Sequence, residues 1–141
     1  MNRLIVAIAA ATMLAGASPV LADQCSQLSG ARWSFYLEGP FAGTPTIASA
    51  LVDFRKGIAK APMIATLQTT PLAVANSQIK NGDSYLQQVT SCTVENGSAH
   101  LFVNNGGGLF FTVSADGSRA QVRGADANDG RMIGWAMRLP S

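Results

Sequence analysis

Ala99-His100-Leu101-Phe102-Val103, Leu109-Phe110-Phe111-Thr112-Val113 and Ala120-Gln121-Val122-Arg123-Gly124 are three short runs, separated only by residues 104–108 and by a segment holding Asp116-Gly117. Within the runs Leu101 and Val103 alternate with His100 and Phe102, and Leu109, Phe111 and Val113 alternate with Phe110 and Thr112. Ala120, Val122 and Gly124 alternate with Arg119, Gln121 and Arg123. Successive side chains of a strand point to opposite faces, so this period of two marks strands with one face in a core. The connections are rich in Gly, Asn and Asp, which supply the positive φ of tight hairpins. The three runs read as consecutive antiparallel strands.

The same pattern extends in both directions. Upstream, Glu95-Asn96-Gly97-Ser98 reads as a hairpin turn between residues 89–94 and 99–104, and Asn81-Gly82-Asp83-Ser84 as a turn between 78–80 and 85–88. Residues 58–70 read as extended, with Pro62 marking an edge or bulged strand. Residues 71–75 read as a short helical turn or a link. Arg55-Lys56-Gly57 is a turn that follows a strand with Ala48, Ala50, Val52 and Phe54 on one face. Trp33, Phe35 and Leu37 share a face of the first strand. Downstream, Ile133, Trp135, Met137 and Leu139 share one face of the last strand, with Gly134, Ala136 and Arg138 on the other. No amphipathic helical pattern follows residue 22. About eight strands with short connections predict an all-β protein: an antiparallel up-and-down meander closed into a small barrel, which leaves no apolar strand edge exposed.

Residues 1–22 have the make-up of a signal peptide: Arg3, an apolar run from Leu4 to Ala15 broken only by Thr12, and Val20-Leu21-Ala22 before the cut. Cleavage is expected after Ala22, with Ala15-Gly16-Ala17 as a weaker site. The run of about 12 residues is short of the about 20 that a membrane span needs. Residues 23–141 then form a single barrel domain with no transmembrane segment, in the bacterial periplasm or secreted. Cys25 and Cys92 are the two cysteines. An even count in an exported chain predicts a disulfide between them. With Arg3 removed, the charge balance is 9 basic to 8 acidic residues, which argues against a nucleic-acid partner.

The segment Leu28-Ser29-Gly30-Ala31-Arg32-Trp33-Ser34-Phe35 resembles the Gly-x-Trp strand that opens lipocalins and other calycin-like barrels, although here two residues separate Gly30 from Trp33. Arg138 stands where such barrels place a basic residue over that Trp. The chain also looks similar to small exported bacterial proteins of unassigned role, through residues 90–94, 110–117 and 134–139. The resemblance implies a barrel more than it implies a ligand.

Catalytic patterns are weak. His100, the one histidine, sits mid-strand with no nucleophile placed beside it by a recognisable motif. Asp126 and Asp129 share a turn with Asn128 and Gly130, which reads as a solvated loop, with a weak calcium site as the alternative. Arg119 and Arg123 read as an exposed polar face. No metal or other cofactor is expected. Trp33, Phe35, Phe54, Phe102, Phe110, Phe111 and Trp135 are more than one face of each strand would hold, and Phe110 and Phe111 must point to opposite sides. Trp33, Phe35, Phe54, Phe111 and Trp135 are therefore the candidate ligand-binding residues, in the barrel interior or its mouth. The expected function is non-catalytic: holding a small hydrophobic or amphipathic ligand, or presenting a loop face to an extracellular or periplasmic protein or a polysaccharide. The alternatives are a barrel-type cyclase or isomerase, or a secreted inhibitor of a hydrolase.

Overall fold

The computed structural model describes residues 23–69, 84–104, 106–126 and 129–141. A short helix α1 (Gln24–Leu28) precedes β1 (Arg32–Phe41), β2 (Thr44–Asp53), β3 (Ala61–Thr69), β4 (Ser84–Glu95), β5 (Ser98–Val103), β6 (Gly108–Val113), β7 (Arg119–Gly124) and β8 (Ile133–Arg138). Each strand pairs antiparallel with the next, and β8 returns to pair with β1, so the sheet closes as a barrel in sequence order. The all-β meander barrel expected from the alternation is the fold of this chain. The proposed leader, its cleavage point, the 71–75 segment and the Asn81-Gly82 turn lie outside the described residues. No helix among the described residues is long and apolar enough to cross a membrane.

The alternation maps directly onto inside and outside. Trp33, Phe35 and Leu37 of β1 are buried, as are Ala48, Ala50 and Val52 of β2, Leu101 and Val103 of β5, Phe111 and Val113 of β6, and Ala120 and Val122 of β7. Their outward neighbours on β2, β5, β6 and β7 include Ser49, Phe102, Thr112, Arg119 and Gln121, all exposed. At the β4–β5 hairpin Asn96 and Gly97 take φ of 51° and 78°. Two positive values are what a two-residue turn matched to strand twist requires.

The structure differs from the sequence reading in three places. Helix α1 was not expected. Five residues are too few to show a helical period, and its local signal is Asp23, whose carboxylate caps the helix by accepting the Ser26 N–H at 3.1 Å. Hydrogen bonds from the Ser26 side chain and from its N–H hold the Asp23 carboxyl below its usual range. Second, β3 begins at Ala61, because Lys60 has a φ of 65° and cannot continue a strand. Pro62 is then the second residue of an interior strand, one position before the β2 ladder starts at Val52–Met63. Third, residues 85–88 and 89–94 form one continuous strand, β4, with a register shift between Val89 and Ser91.

Helix α1 lies against β4, β5 and β6 and closes one end of the barrel. Leu28 is fully buried there, and the buried Gln24 side chain accepts the Val113 N–H at 2.7 Å. Cys25 is bonded to Cys92 of β4, with the Cα atoms 6.0 Å apart, as the cysteine count predicted. Arg138 pairs with Trp33 across the β1–β8 seam.

The loop from β7 to β8 holds two carboxyl groups in a reciprocal arrangement. Asp129 Oδ1 accepts the Asp126 N–H at 3.0 Å, and Asp126 Oδ1 accepts the Asp129 N–H at 3.3 Å. Burial pushes the Asp129 carboxyl up to about 6; the backbone bond opposes this, while the neighbouring Asp126 carboxyl adds to the rise. The folded protein therefore keeps a proton that the unfolded chain loses near pH 4. The stability from this group is full below pH 4 and is lost as pH rises through 6. A rise of this size corresponds to at most about 3 kcal/mol. Solvent screening of this part-exposed pair reduces that to about 1 kcal/mol. Asp129→Asn keeps the acceptor without the charge. It is expected to raise stability by about 1 kcal/mol at pH 8 and to leave it unchanged near pH 4, as read from urea midpoints at the two values. Equal effects at both would exclude this titration.

Candidate functional site

Four of the five aromatic candidates lie in the core. Trp33 and Phe54 are fully buried, as is Phe111, and Phe35 meets Phe111 edge to face with ring centroids 5.3 Å apart. The Trp33 Nε1–H donates to the Leu28 carbonyl at 3.2 Å, so its polar edge is used in fixing α1 to the barrel. The structure brings these residues together as packing. The fifth, Trp135, points away from them, out of the barrel, and is 50% exposed.

Trp135 belongs to a row of side chains crossing the outer wall. The register sets Thr112 opposite Gln121, Gln121 opposite Trp135, and Trp135 opposite Tyr36. A second row runs parallel to it: His100 opposite Phe110, Phe110 opposite Arg123, Arg123 opposite Ile133, and Ile133 opposite Glu38. Members of the two rows are two residues apart along each strand, or about 7 Å. Between the rows lies a shallow groove with a volume of about 300 Å³, floored in part by Val122 and Gly134. Gly134 is required there, because a Cβ at this position would run into the Tyr36 carbonyl of β1. The small residue keeps β8 close to β1, and so holds Trp135 beside Tyr36.

The second row is stiffened by stacking. The His100 ring lies 4.1 Å from Phe102 and 4.3 Å from Phe110, with interplanar angles of 29° and 33°. The Arg123 guanidinium sits 4.2 Å over the opposite side of the chain of rings, on Phe110. Cation–π contacts of this kind are worth about 0.5–1 kcal/mol at exposed sites. Glu95 Oε2 anchors the stack at His100, 3.0 Å from its Nδ1. His100, the one histidine, for which the sequence offers no catalytic partner, is the middle plate of this stack. Its Nε2 would be 3.1 Å from a Cβ at Gly108, so the close approach of β6 depends on that glycine. Flat groups held in a stack have little rotational freedom left to lose, which makes the wall preorganised for a ligand.

Charge in the groove balances. Glu38 and Arg123 flank Ile133 in the same row. Among the described residues, neither Glu38 nor Gln121 has a side-chain hydrogen-bond partner. The groove thus offers an acceptor-only carboxylate, an amide that both donates and accepts, and a donor-only guanidinium beside exposed rings. Among the described residues there is no group of three or more His, Cys, Asp or Glu side chains that could hold a metal ion. The alternation had put Phe110, Gln121, Arg123 and Tyr36 on faces opposite the core. Their assembly into two rows depends on register between strands as far apart in sequence as β1 and β8, which alternation does not carry. Comparison with protein-family models, with curated proteins and with solved structures gives no match.

Proposed function

We propose that this chain is an exported, non-catalytic binding protein that takes its ligand on the outer wall of the barrel, in the groove between the Trp135 and Phe110 rows. One observation carries the reading: two half-exposed rings, Trp135 and Tyr36, are paired across the β1–β8 seam at a preorganised groove. Trp, Tyr and Arg are the residues that dominate binding energy when a partner covers them. Exposed apolar patches on a folded surface mark sites of contact. The barrel-interior form of the expectation draws no support from Trp33, Phe35, Phe54 and Phe111, which are spent on core packing. The Cys25–Cys92 bridge is compatible with an oxidising compartment, either periplasmic or extracellular.

The two tryptophans make the test direct, because Trp33 is shielded and Trp135 is half in water. Amphipathic small molecules titrated into the protein are expected to shift the exposed component of tryptophan emission. In Trp135→Ala the same molecules should bind at least tenfold more weakly, about 1.4 kcal/mol or more. The folding midpoint should move by no more than about 0.5 kcal/mol, as for other surface changes. Ligands that bind the variant as tightly as the parent would sink the outer-wall reading.

A further inference from the structure

We infer that the ligand of this groove is a neutral polysaccharide, with sugar rings laid across the strands against Trp135 and Tyr36. The inference rests on the outer-wall reading above and names its ligand class. A pyranose ring has an apolar face of C–H groups and a rim of hydroxyls, each both donor and acceptor. The groove has the matching parts: half-exposed flat rings at Trp135 and Tyr36, and beside them Gln121, Glu38 and Arg123. Trp135 and Tyr36 stand on paired strands, with Cβ atoms about 5 Å apart, so two aromatic side chains stand side by side at the seam. From β1 to β6 the groove spans three strand spacings, about 14 Å. That is long enough for a short run of linked rings.

The polar groups decide among ligand classes. Glu38 is an acceptor with no partner among the described residues. A sugar hydroxyl satisfies it by donating. A proline-rich peptide, the other chain that docks on aromatic grooves, lacks N–H donors at its prolines and would leave this exposed carboxylate to water, whereas a sugar hydroxyl adds a bond there. An anionic polysaccharide would gain Arg123 but face Glu38, and the guanidinium is already turned onto Phe110. A ligand without charge fits a wall whose two charges cancel. Adding a peptide strand to the sheet is closed off as well, because the barrel has no free edge.

The experiment is affinity electrophoresis of the full chain in gels containing dextran, laminarin, mannan or hydroxyethyl cellulose, with alginate and a proline-rich peptide as competitors. The parent, Trp135→Ala and Gln121→Ala are compared, and circular dichroism melts confirm that each is folded. The expected result is retardation by at least one neutral glycan, unchanged between 50 and about 300 mM salt because no phosphate-like charge is neutralised. Trp135→Ala should weaken it at least tenfold and Gln121→Ala severalfold. Binding of alginate or the peptide alone, still dependent on Trp135, would overturn the neutral-polysaccharide assignment and leave the groove standing. No neutral glycan bound, or retardation indifferent to Trp135→Ala, would overturn the proposal, and the second of these would overturn the outer-wall reading with it.

Discussion

Trp33→Ala is expected to lower the unfolding free energy by about 3–5 kcal/mol, the range for removing a large aromatic from a core. Trp33 is fully buried and is the largest side chain of the core. It fills the end of the barrel that α1 covers, and the register sets it against Val52 of β2 and Arg138 of β8. Truncation leaves a cavity that three elements would have to move to close. It also leaves the Leu28 carbonyl, which now accepts the indole N–H at 3.2 Å, without that donor in a buried place. Both effects act in the same direction. Urea denaturation followed by far-UV circular dichroism measures the change, since tryptophan emission is altered by the substitution itself. A loss below about 1 kcal/mol would mean that the barrel floor collapses around the gap, against the rigidity expected of a closed sheet.

Reduction of the Cys25–Cys92 bridge is expected to cost about 4 kcal/mol. The bridge spans a sequence separation of 67, and a loop of that size carries roughly this closure entropy in the unfolded chain. The folded state loses more than a constraint. A five-residue helix has no stability of its own, so α1 is held by the bridge, by the Leu28 contacts and by the Gln24–Val113 bond. With Cys25 released, the Leu28 side chain and the Val113 N–H are both open to water. Thermal melts with and without reductant should differ by about 15 °C for a domain of this size, and thiol titration of the denatured, unreduced protein should find none. A shift under about 5 °C would show that α1 stays docked without its covalent tie.

The fold was legible because its signals are local. Alternation over six residues distinguishes inside from outside, and Asn96-Gly97 states its turn in two residues. Helix α1 was missed for the same reason, since its position depends on a buried glutamine meeting a backbone N–H 89 residues away. The aromatic candidates are expected in the barrel interior or its mouth, because the rings exceed what one face of each strand holds. That holds for Trp33, Phe35, Phe54 and Phe111. It does not hold for Trp135, whose strand neighbour Ala136 is buried instead and whose neighbour Gly134 lies against the Tyr36 carbonyl of β1. Alternation had separated Trp135 from Gly134 and Ala136. Only the seam pairing shows which set is inside.

That seam also fixes when the protein can finish folding. β1 pairs with β8, so the first strand waits for the last, and Trp33 and Arg138 are about 105 residues apart along the chain. Until they meet, β1 and β8 are open edges on which another chain can pair. An oxidised Cys25–Cys92 pair shortens the path. From Trp33 back to Cys25, across to Cys92 and on to Arg138 is about 54 residues, roughly half. Halving a loop lowers its closure cost by about 0.6 kcal/mol, close to threefold in the rate of a closure-limited step. A chain that crosses a membrane unfolded and is oxidised on the far side would spend less time with its edges exposed.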